Sequence, residues 1–144
     1  MKYVKIIVAT AAVVALGYVM WPDNKAPTSQ GQSTPASGAA LASIVLPETF
    51  SANALIGQNV FNGKCSVCHA ANGVGQQGVA PPLINKIYEP NHHGDEAFQR
   101  AAALGVQSHH WTFGNMPPIE NVTRGDVKMI LAYIREIQRA NGIN

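Results

Sequence analysis

Cysteine is scarce in this chain of 144 residues, which has only Cys65 and Cys68. A disulfide between two residues so close in sequence would be strained. A thioredoxin-like dithiol needs strands around a βαβ unit, and the sequence shows almost no strand pattern. A structural zinc site needs four ligands, of which this pair supplies two and later histidines could supply the others. A disulfide and a thioredoxin-like dithiol are therefore disfavoured as roles of this cysteine pair. A zinc site is also disfavoured but stays as an alternative.

An excess of charge of one sign is also lacking from most of the chain. From Ile44 onward, seven basic side chains balance seven acidic ones, and the net charge of +2 arises before that residue. Proteins that bind nucleic acid present a basic surface that displaces counterions from the phosphates. We therefore expect no nucleic acid among the partners.

What the sequence does contain is the motif Cys65-Ser66-Val67-Cys68-His69, which reads C-x-x-C-H. Haem is attached covalently at such a motif. Each thiol can form a thioether with one haem vinyl group, and the imidazole that follows then lies under the iron. The motif predicts a covalent haem c held by Cys65 and Cys68, with His69 as an axial ligand of the iron.

The N-terminus carries a charge-free apolar run from Ile6 to Trp21, preceded by Lys2 and Lys5. As a helix this run would reach about 24 Å, a little short of a hydrocarbon core of about 30 Å. We interpret residues 1–21 as a membrane anchor, with a cleaved signal as the alternative, because the small-residue cleavage sites fit poorly. The positive-inside bias would keep the lysines in the cytoplasm. We therefore expect a single-pass inner-membrane protein whose main domain is periplasmic.

Composition divides the remainder of the chain. Residues 22–43 are dominated by proline, serine, threonine, glutamine, glycine and alanine, which predicts a flexible tether because such a segment cannot bury enough apolar surface to fold. Residues 44–144 then form the soluble domain.

The predicted elements of that domain are helices. Ser51 is a plausible N-cap for the first helix, and Gly57 in its middle predicts a close crossing with another helix. Asp95 is predicted to cap a helix over 96–104 that ends at Gly105. Core positions expected in the first helix are Leu55, Val60 and Phe61.

The last helix has the clearest pattern. Thr123 is its predicted cap, and an apolar stripe recurs at three- and four-residue steps. The residues of this stripe are Val127, Ile130, Leu131, Ile134 and Ile137, whereas the wet side is assigned to Lys128, Arg135 and Glu136. The fold class predicted is all-α.

Met116 lies in the segment Gly114-Asn115-Met116-Pro117-Pro118. Its backbone is expected to be rigid and extended next to the prolines, so its side chain can be aimed at a fixed target. A thioether opposite a histidine raises the haem potential and suits reversible electron transfer. We predict Met116 as the second axial ligand, with loop packing as the alternative.

Pro81 follows a glycine-rich loop after His69. A prolyl carbonyl is a fixed acceptor that could hold the Nδ1–H of His69 and leave Nε2 for the iron. We predict that Pro81 orients His69 in this way; an ordinary rigid turn is the alternative.

On these motifs the sequence resembles a class I c-type cytochrome, in the monohaem bacterial form with an N-terminal membrane tether. The resemblance covers about residues 52–142 and implies the cytochrome c fold, with Gly57 and Phe61 meeting the last helix near Tyr133. It also implies that the Pro81 carbonyl accepts a hydrogen bond from His69. The motifs are Gly57-x-x-x-Phe61-x-x-x-Cys65, Cys65 to His69, Ala80-Pro81-x-Leu83, Gly114-Asn115-Met116-Pro117 and Leu131-Ala132-Tyr133-Ile134.

Two histidine pairs, His92-His93 and His109-His110, depart from that pattern. His109 or His110 could replace Met116 on the iron, or all four could bind copper or zinc, since imidazole suits both metals. The favoured interpretation is that they cap helices or bond to haem propionates, with Trp111 near the haem edge. The pairs could converge only if the loops flanking the third helix fold back.

The function expected from these features is electron transfer rather than enzymatic catalysis. The protein would be a membrane-tethered periplasmic carrier whose haem iron cycles between ferric and ferrous states. Its expected partners are membrane redox complexes; the resemblance implies a quinol-oxidising complex or another reductase as donor, and a terminal oxidase or reductase as acceptor. Two alternatives remain: a haem enzyme or ligand sensor with a labile Met116, and a redox subunit fixed in a larger respiratory or dehydrogenase complex.

Overall fold

A computed structural model describes residues 37–144, which form helices joined by loops. The helices are α1 (Ala52–Lys64), α2 (Ser66–His69), α3 (Asp95–Leu104) and α4 (Arg124–Ala140), with 3-10 turns at Ala71–Gly73 and Lys86–Tyr88. Within residues 37–144 the only β-structure is three isolated bridges, so the all-α prediction is confirmed for this part of the chain.

The predicted anchor, residues 1–21, lies outside the described residues, as does most of the predicted tether. Among residues 37–144, no helix combines the length and the apolar character needed to cross a membrane. The end of the predicted tether is described, and it contacts the domain. Gly38 donates a backbone hydrogen bond to Gln77 at 2.9 Å, and Ala42 donates one to Val74 at 3.0 Å. Contact with the domain therefore begins before Ile44.

Helix α1 begins as predicted at Ser51, whose hydroxyl accepts a hydrogen bond from the Ala54 amide. The helix buries Ala54, Gly57 and Phe61, which recur at steps of three and four and so share one face. Leu55 is 48% exposed, so its assignment to the core was wrong. It neighbours Ala54 in sequence but points away from the buried face.

The buried face of α1 packs against α4, and Gly57 allows the close approach. A Cβ at Gly57 would overlap the backbone carbonyl of Met129 and come within 2.8 Å of the Ile130 nitrogen. One turn further on, the ring of Phe61 lies 5.8 Å from that of Tyr133, centroid to centroid. The helix crossing predicted from Gly57 is confirmed.

Helix α4 supplies most of the core and begins with a capping box. The Thr123 hydroxyl accepts a hydrogen bond from the Asp126 amide, and the Asp126 carboxylate accepts one from the Thr123 amide. The whole predicted stripe of α4 is buried. It comprises Val127, Ile130, Leu131, Ile134 and Ile137.

Arg135 corrects the prediction for the wet side of α4, because it is 7% exposed. Its guanidinium donates hydrogen bonds to the backbone carbonyls of Tyr88 and His93, at 2.6 and 2.7 Å. It also donates to Gln138 Oε1 at 2.6 Å and pairs with Asp95. A buried charge persists only with such partners, and the periodicity of a single helix does not reveal them.

Helix α3 ends at Gly105 as predicted, with a positive φ of 76°. Its N-cap is Gly94 rather than Asp95, which is the first helical residue. Asp95 and Glu96 therefore place negative charge in the first turn, where it favours the helix dipole. The helix starts one residue earlier than predicted.

Candidate haem site

The two cysteines and His69 lie within five residues of one short turn, at positions 65, 68 and 69. Helix α1 ends at Lys64, and Cys65 N-caps α2, with the His69 amide donating to the Cys65 carbonyl at 2.9 Å. Burial, and to a lesser extent the neighbouring Cys68, raises the pKa of the free Cys65 thiol to about 11. Cys68 is exposed. Before any attachment, Cys65 is thus a thiol rather than a thiolate at neutral pH.

His69 is buried, and its ring orientation is set by Pro81. The Nδ1 atom lies 2.9 Å from the Pro81 carbonyl oxygen. Because a carbonyl can only accept, Nδ1 carries the proton and Nε2 keeps its lone pair. Burial lowers the pKa of His69, with the hydrogen bond to Pro81 acting in the opposite direction. The side chain is therefore a neutral imidazole with Nε2 available as a metal ligand.

The loop between His69 and Pro81 is held by Gln76, whose part the sequence did not reveal. Gln76 Nε2 donates to the carbonyls of Val67 and Cys68 at 2.8 and 2.9 Å, which are groups that a short helix leaves without partners. The Gly75 amide donates to the His69 carbonyl at 2.8 Å. A lone glutamine in a glycine-rich loop carries no signal of this contact, because its partners are backbone atoms.

Met116 is fixed by its backbone to the chain that leaves α3. Its amide donates to the Val106 carbonyl at 3.0 Å, and its carbonyl accepts from the Val106 amide at 2.9 Å. A Cβ at Gly105 would crowd the Met116 carbonyl, so glycine permits the close approach. Next to Met116, Asn115 Oδ1 accepts a hydrogen bond from the Ser108 amide at 2.9 Å. These hydrogen bonds hold the backbone of Met116 and the side chain of Asn115 in place.

Cys65, Cys68, His69 and Met116 all line one cavity of about 630 Å³. That volume lies within the range of pockets that enclose a cofactor, roughly 300–1,000 Å³. The walls are largely apolar and come from every helix of the described part. They include Phe61, Leu83, Ala101, Val106, Ile119, Val127 and Ile130.

The cavity fits haem in its donor set as well as in its volume. Two thiols and two classes of iron ligand, an imidazole and a thioether, open on the same space. Trp111 also lines the cavity, and its buried Nε1 makes no hydrogen bond of normal geometry, although it lies near enough to the Tyr88 hydroxyl to lower the pKa of that group against the larger effect of burial. Arg100 and Lys64 add positive charge at the wall. An unpaired N–H donor and two cations suit the carboxylates of haem propionates.

The comparison with protein families agrees with this arrangement. The family model described as cytochrome c matches residues 54–138, more than half of the chain. No curated protein and no solved structure gives a significant match. The matched range contains the C-x-x-C-H motif, Pro81, Met116 and both histidine pairs.

Proposed function

The chain belongs to the cytochrome c family, and we propose that it is a membrane-tethered periplasmic carrier. As a member of that family it binds haem c covalently at the C-x-x-C-H motif and serves haem-based electron transfer. In this proposal His69 and Met116 are the two axial ligands of the iron. The haem would supply the redox chemistry, a one-electron change between ferric and ferrous iron. The protein retains both ligands throughout, so its task is transfer rather than catalysis.

The observation that carries the proposal is that His69 and Met116 line the same cavity from two independently supported segments. His69 is held by Pro81, and Met116 by its two backbone hydrogen bonds to Val106. Ligands held by rigid backbone need little rearrangement when the charge of the iron changes. This arrangement suits a carrier better than a haem enzyme or sensor, which needs one labile ligand.

The other residues of the cavity bury and orient the haem. Apolar side chains such as Phe61 and Ile130 exclude water from it, which with the ligands tunes the reduction potential. Pro81 acts through His69, because it fixes the protonated nitrogen and keeps the other one for the iron. Cys65 and Cys68 prevent loss of the haem.

Substitution of Met116 by leucine tests the ligand assignment. Leucine conserves the volume but removes the thioether. We expect the variant to retain covalent haem, to lose the absorption band that arises from methionine bound to ferric iron, and to have a lower potential. Axial ligands set haem potentials over a range on the order of 0.8 V, so the change is large enough to measure by redox titration.

Met129→Leu is the matched control, because Met129 lies on α4 and does not line the cavity. We expect its methionine band and potential to equal those of the wild type. If Met116→Leu kept the band, another methionine would be the ligand. Absence of the band from the wild type would instead point to His109 or His110 as the ligand.

The location and partners form the second half of the proposal. The apolar run from Ile6 to Trp21 supports an inner-membrane anchor, and haem c proteins of this form face the periplasm. A tethered domain has a high effective concentration beside membrane redox complexes. We propose these complexes as electron donor and acceptor, reached through small and transient contacts.

Fractionation of a bacterial host that expresses the full chain tests this location. We expect the haem protein in the membrane fraction, with the intact chain of 15.3 kDa plus haem by mass spectrometry. Protease added after disruption of the outer membrane should release the haem domain. A shorter, soluble periplasmic protein would show instead that the N-terminal segment is a cleaved signal.

A further inference from the structure

The two histidine pairs, which the sequence separates by α3, come together in the structure. The ring centroids of His92 and His110 are 5.4 Å apart, and those of His93 and His110 are 5.2 Å apart. His109 stacks on His93 with centroids at 6.1 Å. We call these four residues the histidine cluster. The loops that flank α3 therefore fold back, as they must for the two histidine pairs to converge.

The spacing of the nitrogens is close to that of a metal site. One ring nitrogen from each of His92, His93 and His110 lies within 4.8 Å of the other two. Zinc and copper hold imidazole nitrogens at about 2.0–2.1 Å, which places tetrahedral ligands about 3.3 Å apart. Closing this difference takes small rotations of side chains. His92 and His110 are exposed and His93 is half-buried, so two of the three are free to turn.

The cluster is supported by hydrogen bonds of the kind that orient metal ligands. His93 Nδ1 lies 2.6 Å from the Ile87 carbonyl, and His109 Nδ1 lies 2.8 Å from the Gln107 carbonyl. Each carbonyl fixes the proton on Nδ1 and leaves Nε2 as a donor of an electron pair. Hydrogen bonds from the second ring nitrogen to a backbone carbonyl are expected for histidines that bind a metal. A histidine on the surface does not need them.

Buried Arg135 holds the backbone on which the first pair stands. Its guanidinium donates to the His93 carbonyl at 2.7 Å and to the Tyr88 carbonyl at 2.6 Å. The amides of His92 and His93 both donate to the Glu89 carbonyl, at 3.1 and 2.8 Å. The segment is therefore fixed to α4 before any ion binds.

The donor set selects the class of ion, because His92, His93 and His110 all present imidazole nitrogens. Imidazole donors suit zinc, copper and nickel, and among divalent first-row ions the affinity is highest for copper.

We propose that His92, His93 and His110 bind one divalent transition-metal ion and prefer Cu²⁺ to Zn²⁺. This site is separate from the axial ligands of the haem. His93, His109 and His110 also line the wall of the haem cavity, so the ion would bind beside the haem and not on its iron. The site requires that His110 does not bind the iron, so the proposal rests on the proposed ligation of the haem by Met116.

Titration of the haem-loaded protein with metal tests the proposal. The protein is first stripped with a chelator, and Cu²⁺ or Zn²⁺ is then added in a calorimeter. We expect saturation at one equivalent of Cu²⁺, with Zn²⁺ at least about tenfold weaker, following the order of affinities for nitrogen ligands. Electron paramagnetic resonance of bound Cu²⁺ should show coupling to several imidazole nitrogens. The haem absorption spectrum should keep its axial-ligand bands.

The single variants His92→Gln and His110→Gln, and the double variant, remove exposed ligands. Each ligand lost should weaken Cu²⁺ binding by roughly 100-fold or more, beyond the 10–100-fold typical of losing a supporting contact. Glu89→Gln is the matched control, since it removes a carboxylate next to the first pair but no histidine. Its Cu²⁺ affinity should equal that of the wild type.

The proposal fails if no saturable binding occurs at equimolar Cu²⁺. It fails also if the histidine variants bind Cu²⁺ as tightly as the wild type, because the ion would then occupy another site such as the haem propionates. Tighter binding of Zn²⁺ than of Cu²⁺ would overturn the stated preference. An unchanged haem spectrum in each variant verifies that the fold is intact.

Discussion

Gly57 is a residue whose side chain, a single hydrogen, decides how closely two helices approach. The Met129 carbonyl on α4 occupies the space that a Cβ would need, whereas Gly63, six positions later on the same helix, faces open space. The two glycines therefore separate the effect of packing from that of helix propensity.

Gly57→Ala is expected to destabilise the protein, because overpacking of a core contact costs about 1–3 kcal/mol and exceeds the gain in helix propensity. Gly63→Ala should instead raise the free energy of unfolding by about 0.5–1 kcal/mol. Denaturant unfolding followed by circular dichroism measures both. Equal effects of the two substitutions would show that the crossing does not constrain Gly57.

Residues differ in how much of their role can be predicted from sequence. The C-x-x-C-H motif and the cap at Thr123 depend on neighbours within one or two helical turns, so their patterns are local. Arg135 and Gln76 bind backbone carbonyls of other segments, 47 residues away at Tyr88 and 9 residues away at Val67. No spacing in the sequence encodes such partners, and Arg135 was for this reason assigned to the wet side.

At the scale of elements, the N-terminus of α4 depends on one reciprocal cap. The hydrogen bonds that the Thr123 amide and hydroxyl donate to the Asp126 carboxylate lower its pKa from the usual 3.8. The folded pKa is below the unfolded one, so the stabilisation is complete above the ordinary pKa. It is lost as the pH falls through the lower, folded value.

Asp126→Asn should therefore lower stability at neutral pH and make little difference in strong acid, where the wild-type carboxyl is protonated. The measurement is the urea midpoint of both proteins between neutral pH and about pH 2. Thr123→Ala serves as the companion variant and should cost about 1 kcal/mol. A gap between wild type and Asp126→Asn that stayed constant over the whole range would contradict the assignment.

Arg135 connects three elements, because it bonds α4 to the first residue of α3 and to the segment from Tyr88 to His93. Arg135→Gln would leave buried carbonyls without a charged donor, a loss of about 3 kcal/mol. Arg139→Gln, on an exposed position of α4, should change stability by no more than about 0.5 kcal/mol. Thermal unfolding of the haem-loaded proteins distinguishes them. A small effect of Arg135→Gln would mean that water replaces its contacts.

At the scale of the whole domain, the haem cavity is where all the elements meet. Cys68 and His69 come from α2, Met116 from the segment after α3, and the apolar wall mainly from α1, α3 and α4. The sequence predicted the chemical roles of these residues but not how the chain brings them together around one cavity. The all-α class and the contact between His69 and Pro81 could be predicted, since motifs encode them. The convergence of the histidine pairs could not, since it depends on how two loops fold.

If His69 and Met116 fill both axial positions of the iron as proposed, neither face of the haem is open to an added ligand. Exposure of the ferrous protein to carbon monoxide tests this ligation, with Met116→Leu as the variant that opens one face. We expect the absorption spectrum of the wild type to stay unchanged and that of the variant to shift promptly. Rapid binding of carbon monoxide by the wild type would contradict it.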